Sequence, residues 1–352
     1  MRIMHIALTT GNSPQHGLRK ALVSLAGGEQ NYRNYNWYPN WRSGGGLTAN
    51  INGASVNFVP KIQADTLALA DEFKPEFTFV QGGVLHPDTV KKIPGFKMAW
   101  NGDVRNETPR DMLHGAYNVV CWSNMRDVEY ASKFCKAEFL QIGFSADVFR
   151  PDGPKRPNTR VIIFCGNNYA SGPNGRRDNP FPLSYEREFL VYELQRKFQS
   201  RFGVHGRNWL RSQDWLEEPD EAAAYRACSV AINSNHYVLP RFSSDRVFRA
   251  MGSEAFLVSN YYPDMEFTDG VHLVSYRSVH DIFDMITYWL DGRDAEKGKI
   301  AKAGCEFVHK NCTWDARLRE LLSRIGFGSA ATPMPAATAA PIVPAGSDVG
   351  YL

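Results

Sequence analysis

Short, almost unbroken apolar runs recur along the whole chain, and they constrain its fold more than any other feature. In the first half they are MHIALT (4–9), ASVNFV (54–59), FTFVQ (77–81), KMAW (97–100), NVVCWS (118–123) and AEFLQIG (137–143). In the second half they are RVIIFCGN (160–167), FGVHGR (202–207), CSVAIN (228–233), AFLVSN (255–260) and VHLVSY (271–276). A strand with one wet face alternates apolar and polar residues, whereas a strand covered on both faces reads as a continuous apolar run. Helical patterns separate many of these runs. Residues 185–202 repeat Phe189, Leu190, Leu194 and Phe198 at spacings of three and four, 220–228 is alanine-rich after Pro219, and 278–292 opens on Ser278 and stops at Gly292. Strands alternating with helices predict βαβ units, hence an α/β protein of two Rossmann-like, doubly wound domains facing a cleft.

The division into domains follows from length and punctuation. A chain of 352 residues is long enough for two cores. FRPDGPKRPNTR (149–160), with three prolines and a glycine, is the natural linker. This predicts a first domain over 1–150, a second over 151–312, and a last helix, 313–327. Residues 328–352 form an alanine- and proline-rich tail too poor in packing residues to order itself. A net charge of +3 is too small to point to nucleic acid by itself. The six cysteines are scattered and form no CxxC pair, which fits a reducing cytoplasm without disulfides or zinc. The apolar stretch near Met1 is short for a secretion signal, and no run approaches the roughly 18–20 apolar residues of a membrane span.

In open α/β sheets ligands bind beyond the carboxyl ends of the strands, so chemistry is expected in the loops that follow them. TTGNSPQHG (9–17) offers Gly11 and Asn12 before a helix, either as an anion or hydroxyl site or as an ordinary turn. QGGVLHPD (81–88) offers Gly82, Gly83 and His86. NGDVRNETPRD (101–111) offers Asp103, either a base for a hydroxyl or half of a local pair with Arg105. The long loop 167–182 carries Arg176 and Arg177, and VHGRNW (204–209) offers Arg207 and Trp209, the indole either stacking a base or lidding the core. The densest set is INSNHYVLPRFSSDRVFRAMG (232–252). Ser243 or Ser244 can cap a helix whose first turn presents free amides, Arg241 and Arg246 flank that turn, and Asp245 stands one turn before Arg249. Arginines beside a helix N-terminus suit a phosphate.

Residues 160–322 resemble GT-B glycosyltransferases of the group-1 type found among spore-maturation, phage and bacterial surface enzymes. The resemblance rests on FCGNNY and FGVHGRNW, the helix before Gly252, the Tyr262–Pro263–Asp264 loop, Ala301–Lys302–Ala303–Gly304, and His309 followed by Thr313–Trp314. It is looser over the first 150 residues, where WNGDVR and LQIGFSADVFRPDG carry it. It implies sugar transfer from a nucleotide-diphosphate sugar, such as a UDP-sugar, without cofactor or obligatory metal, in the cytoplasm of a bacterium or of a phage-infected host. The donor would be held by Gly166, Tyr169, Gly206, Arg207, Trp209, Arg241, Ser243, Ser244, Arg246 and Arg249, with Gly11, Asn12, Gly82 and Gly83 on the acceptor side and Asp103 or His86 as base. The acceptor would be a surface glycan or a modified base of phage DNA, and the last helix would pack back on the first domain. One departure stands out: Arg249 occupies the place of a family glutamate expected to hold the donor ribose, and arginine accepts no hydrogen bond. Either Glu254 or another group takes over the ribose, or the donor is held differently. A non-catalytic sugar-nucleotide or glycan binder and a nucleotide-sugar epimerase are the alternatives on the same fold.

Overall fold

The computed structural model describes residues 1–8, 16–41, 46–170, 181–213 and 215–327. The first half holds strands β1 (Ile3–Ala7), β2 (Tyr32–Asn36), β3 (Leu47–Ile51), β4 (Ala54–Phe58), β5 (Phe77–Gln81), β6 (Phe96–Asn101), β7 (Val119–Trp122) and β8 (Ala137–Phe139). Six of them form a parallel sheet in the order β2-β1-β5-β6-β7-β8. Helices α1 (His16–Ala26), α2 (Tyr38–Trp41), α3 (Pro60–Phe73), α4 (Pro87–Lys92) and α5 (Met125–Ala131) connect them. Every residue of β1, β5 and β7 is buried, which is why these segments read as unbroken apolar runs.

Residues 54–59 depart from that pattern. They do not enter the parallel sheet but pair with β3 as a separate antiparallel hairpin, Ile51 opposite Ala54 across Asn52 and Gly53, whose φ values are 51° and 80°. The physical reason lies in the run itself: Ser55 and Asn57 interrupt it, and burial along β4 alternates as in a strand with one wet face.

The second half repeats the doubly wound plan. Strands β9 (Ile162–Cys165), β10 (Phe202–His205), β11 (Val230–Asn233), β12 (Leu257–Asn260) and β13 (Val274–Tyr276) form a parallel sheet ordered β10-β9-β11-β12-β13. Helices α6 (Ser184–Phe198), α7 (Glu218–Ala227), α8 (Asp245–Gly252), α9 (Asp281–Leu290) and α10 (Asp294–Asn311) accompany it. The strand order reverses between β1 and β5 in the first sheet and between β9 and β11 in the second. At such reversals the loops splay apart and open a crevice.

Helix α11 (Trp314–Arg324) leaves the second half and packs on the first. Trp314, Leu318, Leu321 and Leu322 share one core with Leu18, Leu22 and Trp100. A Cβ on Gly143 would lie 2.7 Å from the Trp314 backbone, so glycine is needed where the two segments cross. Arg317, buried beside Glu266 at 3.0 Å, ties the same helix to the second half. A second seam joins the halves around Tyr237–Phe242. The Tyr237 hydroxyl donates to Asn106 Oδ1 (3.0 Å), Gln141 Nε2 donates to the Arg241 carbonyl (2.7 Å), and Met125 N–H donates to the Pro240 carbonyl (3.1 Å).

Candidate functional site

The carboxyl ends of β9 and β10 are drawn unusually close. The Gly166 N–H donates to the His205 carbonyl at 2.7 Å, and the Arg207 N–H donates to Asn167 Oδ1 at 2.8 Å. Gly166 and Gly206 have φ of 152° and 151°, and a Cβ on Gly206 would lie 2.0 Å from the Gly166 carbonyl oxygen. No other residue permits this approach. Trp209 donates its indole N–H to that same carbonyl (2.6 Å) and stands edge-on to Phe164. It is 7% exposed, which makes it a lid on the core, the blander of its two readings. Tyr169 packs with Phe181 and His236 in an aromatic group beside the same loop.

Two arginines converge on Gly166. A Cβ there would lie 2.1 Å from Arg187 Nη2 and 3.2 Å from Arg246 Nε. Arg187 is 1% exposed, its guanidinium 4.8 Å from the centre of the Phe164 ring and its Nη1 against the His236 imidazole. Its Nε and Nη2 have no hydrogen-bond partner among the described residues. Burial, and then the neighbouring charge of Arg246, bring the Arg187 guanidinium down to about 9. Burial and the same two arginines push the His236 imidazole far below its ordinary range. Among the described residues Arg246 forms an ion pair with one carboxylate, Asp245, at 3.9 Å. The loop after β9 therefore faces two buried arginines whose charge Asp245 balances only in part.

Arg187 is absent from the sequence expectation, although a signal was present. On α6 the buried face runs Ser184, Arg187, Leu190, Val191, Leu194, Phe198. An arginine in an apolar stripe needs a partner, and buried charge without one marks functional sites more often than surface charge does.

Helix α8 starts where expected, but its groups are used differently. Ser244 stands at the N-cap position; its hydroxyl donates to Asn233 Oδ1 (2.9 Å) and its N–H donates to Asn235 Oδ1 (3.1 Å). Ser243 is wholly buried. Arg241, with φ of 60°, lays its guanidinium 3.9 Å from the centre of the Phe139 ring in the first half, so it joins the seam. Arg249, expected among the phosphate contacts, is committed elsewhere. It is 9% exposed and meets Glu221 at 2.7 Å, Glu218 at 3.1 Å and Asp245 at 3.1 Å. Glu254, exposed after the far end of α8, is remote from that cluster by the length of the helix.

A pocket opens beside Gly166 and Arg246 and continues past Trp215, Leu216, Glu218 and Glu221. Arg207 is exposed and lies over the Trp215 ring, 5.3 Å from its centre.

In the first half Asp103 is exposed just beyond β6, its N–H donating to Asn101 Oδ1 at 3.0 Å. His86 caps α4: its Nδ1 accepts the Asp88 N–H at 3.2 Å, and its ring packs edge-on to Phe58. Gly82 takes φ of 78°, and a Cβ on Gly83 would collide with the Asp111 carboxyl. Gly11, Asn12, Arg176, Arg177 and the 328–352 tail lie outside the described residues. No helix among the described residues is long and apolar enough to cross a membrane.

Comparison with known proteins accords with this geometry. Residues 184–323 match a family model described as glycosyl transferase-like. No curated protein sequence matches the chain. Solved structures match over nearly the whole length. HepE of Anabaena, in complex with UDP and glucose, is 9% identical with a TM-score of 0.61, over 93% of this chain and 99% of that one. A UDP-forming trehalose-phosphate synthase of Burkholderia xenovorans is 10% identical with a TM-score of 0.60, over 94% and 100%. Sucrose-phosphate synthase of Thermosynechococcus elongatus is 10% identical with a TM-score of 0.57, over 94% and 100%. At such identities the shared property is the fold, and that fold is GT-B, as the sequence resemblance implied.

Proposed function

We propose that this chain, a glycosyltransferase of GT-B fold, takes a sugar from a nucleoside diphosphate donor, held by its second half, and passes it to an acceptor hydroxyl that enters from the first. The observation that carries this reading is the pair of arginines at Gly166, one with two unpartnered nitrogens. Breaking the sugar–phosphate bond leaves negative charge on the diphosphate, and cationic donors already oriented toward it stabilise that charge as it develops. Gly166 and Gly206 let the backbone approach the same anion. Arg246 and Arg187 are the charged groups of this site, while Arg249 and Trp209 support its walls. HepE binds UDP and UDP-glucose, which favours a uridine donor here too.

Asp103 is the group suited to orient or deprotonate the acceptor, being an exposed carboxylate beyond a strand's carboxyl end. His86 is less suited, because one ring nitrogen is already committed to capping α4. The acceptor class is a surface glycan or a hydroxylated base in phage DNA. Metal is unnecessary where arginines neutralise the leaving group.

Thermal shift and calorimetry with UDP, GDP, TDP, CMP and their sugars test the donor site. Ligand at a hundredfold excess over Kd stabilises by about 2.7 kcal/mol. One nucleotide should raise Tm, Arg246→Ala should remove most of the rise, and slow donor hydrolysis should accompany binding. Tight binding with no turnover under any acceptor would instead make the chain a sugar-nucleotide binder.

A further inference from the structure

The pocket beside the arginines has a composition that the leaving group alone does not require. It shares Gly166 and Arg246 with the anion site and then runs between Trp215 and the carboxylates at the start of α7. Whatever is bonded to the diphosphate on its far side from the sugar must extend into adjoining space, and this is the adjoining pocket.

Its carboxylates are not equivalent. Glu221 has both oxygens engaged: Oε1 accepts the Tyr225 hydroxyl at 3.2 Å and Oε2 accepts Arg249 Nη1 at 2.7 Å. Glu218 gives only Oε1 to Arg249 Nη2, at 3.1 Å, and its Oε2 has no protein partner among the described residues. Glu218 is thus tethered by Arg249 and, as a lining residue of the pocket, keeps one acceptor uncommitted among the described residues. A sugar diol presents O–H donors, and a carboxylate beside the phosphate-binding turn of an α/β sheet is the usual acceptor for a ribose hydroxyl.

We infer that Glu218, held in place by Arg249, accepts a ribose hydroxyl of the donor and makes the enzyme select ribonucleotides over deoxyribonucleotides. The inference rests on the donor reading above and assigns to α7 a task that Arg249 cannot perform on α8. Arg249 becomes a positioning residue, and Trp215, 42% exposed with Arg207 over its ring, offers a face for the base.

The test compares UDP and GDP with their 2′-deoxy and 3′-deoxy forms by calorimetry, first on the native protein, where no variant is needed. At pH 8, where the Glu218 carboxyl is ionised, losing one charge-assisted hydrogen bond should weaken one deoxy form about tenfold or more. Glu218→Ala should reduce the ribo form to the level of the deoxy form, Glu218→Gln should recover part of the preference, and Arg246→Ala should weaken both forms alike. Equal affinity of the native protein for ribo and both deoxy forms overturns the inference while leaving the donor site standing. So does a preference that survives Glu218→Ala. Failure of every nucleotide to bind the native protein overturns the donor reading and this one together.

Discussion

Replacing Arg187 by methionine separates binding from stability in a way few substitutions can. The guanidinium is buried, pairs with no carboxylate among the described residues, and is brought down from 12.5 to about 9. At about 1.4 kcal/mol for each tenfold in a proton equilibrium, the empty site disfavours the charge by about 5 kcal/mol at most. Apolar replacement of buried charge often stabilises by about 1–4 kcal/mol, and methionine fills much of the same space along Phe164 and Leu190. Arg187→Met should therefore unfold at a urea midpoint equal to or above that of the native protein when no ligand is present. The nucleotide-bound state should behave in the opposite way. Two unpartnered nitrogens, Nε and Nη2, can each give a charge-assisted hydrogen bond worth about 1.5–3 kcal/mol. Their loss should weaken nucleoside diphosphate binding by about 10²–10⁴-fold. Paired urea melts and titrations on one preparation check both halves. A variant that is several kcal/mol less stable yet binds nucleotide normally would show Arg187 to be a structural residue and would remove the main support for the anion site.

Arg249→Met should have the reverse profile. It leaves Glu218, Glu221 and Asp245 crowded without their cation, at a cost of about 3–5 kcal/mol. The loss should shrink in melts at pH 5.5 relative to pH 7.5, because protonation relieves the crowding; a native midpoint at pH 7.5 would contradict the pairing. Acid stability depends in part on His5 and His114, pushed down from 6.5 to about 3 and about 4, chiefly by burial, with His236 acting in the same direction. The unfolded chain takes up their protons near pH 6.5 and the folded chain does not, so the stability they contribute is complete above that pH and is lost as pH falls toward 4 and then 3. The Glu218 carboxyl, raised by burial to about 7, acts oppositely, stabilising the fold as pH falls from 7 toward 4.5. The clean readout is therefore the difference between the native protein and His5→Gln, which should lose up to about 1.4 kcal/mol per pH unit of acid sensitivity below pH 6.5.

How far the fold and site could be read from sequence depends on whether the governing interaction is local. β9, β11 and β12 are legible because two-sided burial imposes apolar residues along them, with polar ones only at the carboxyl ends of β11 and β12. β4 is misread as part of the parallel sheet, and its partner β3 goes unread, because five half-buried residues look much the same in either pairing. Gly166 and Gly206 are visible as glycines after strands, but their reason is a contact between residues 40 apart, in which any Cβ would strike the facing carbonyl. Arg246 was accessible from its place in the first turn of α8. Arg249 was accessible only as far as Asp245, its helical neighbour, since the carboxylates that engage it come from α7. With Glu218 and Glu221 drawn to it, that arginine has its charge balanced by carboxylates. The charge left to receive an anion is then Arg246 with Arg187, and Arg187 comes from a helix that begins more than fifty residues earlier. Two like charges so close repel each other, which adds to burial in lowering Arg187, and Asp245 offsets that repulsion only in part. An incoming anion would offset the rest, so the side chains that cost stability without ligand are the ones that should hold the diphosphate.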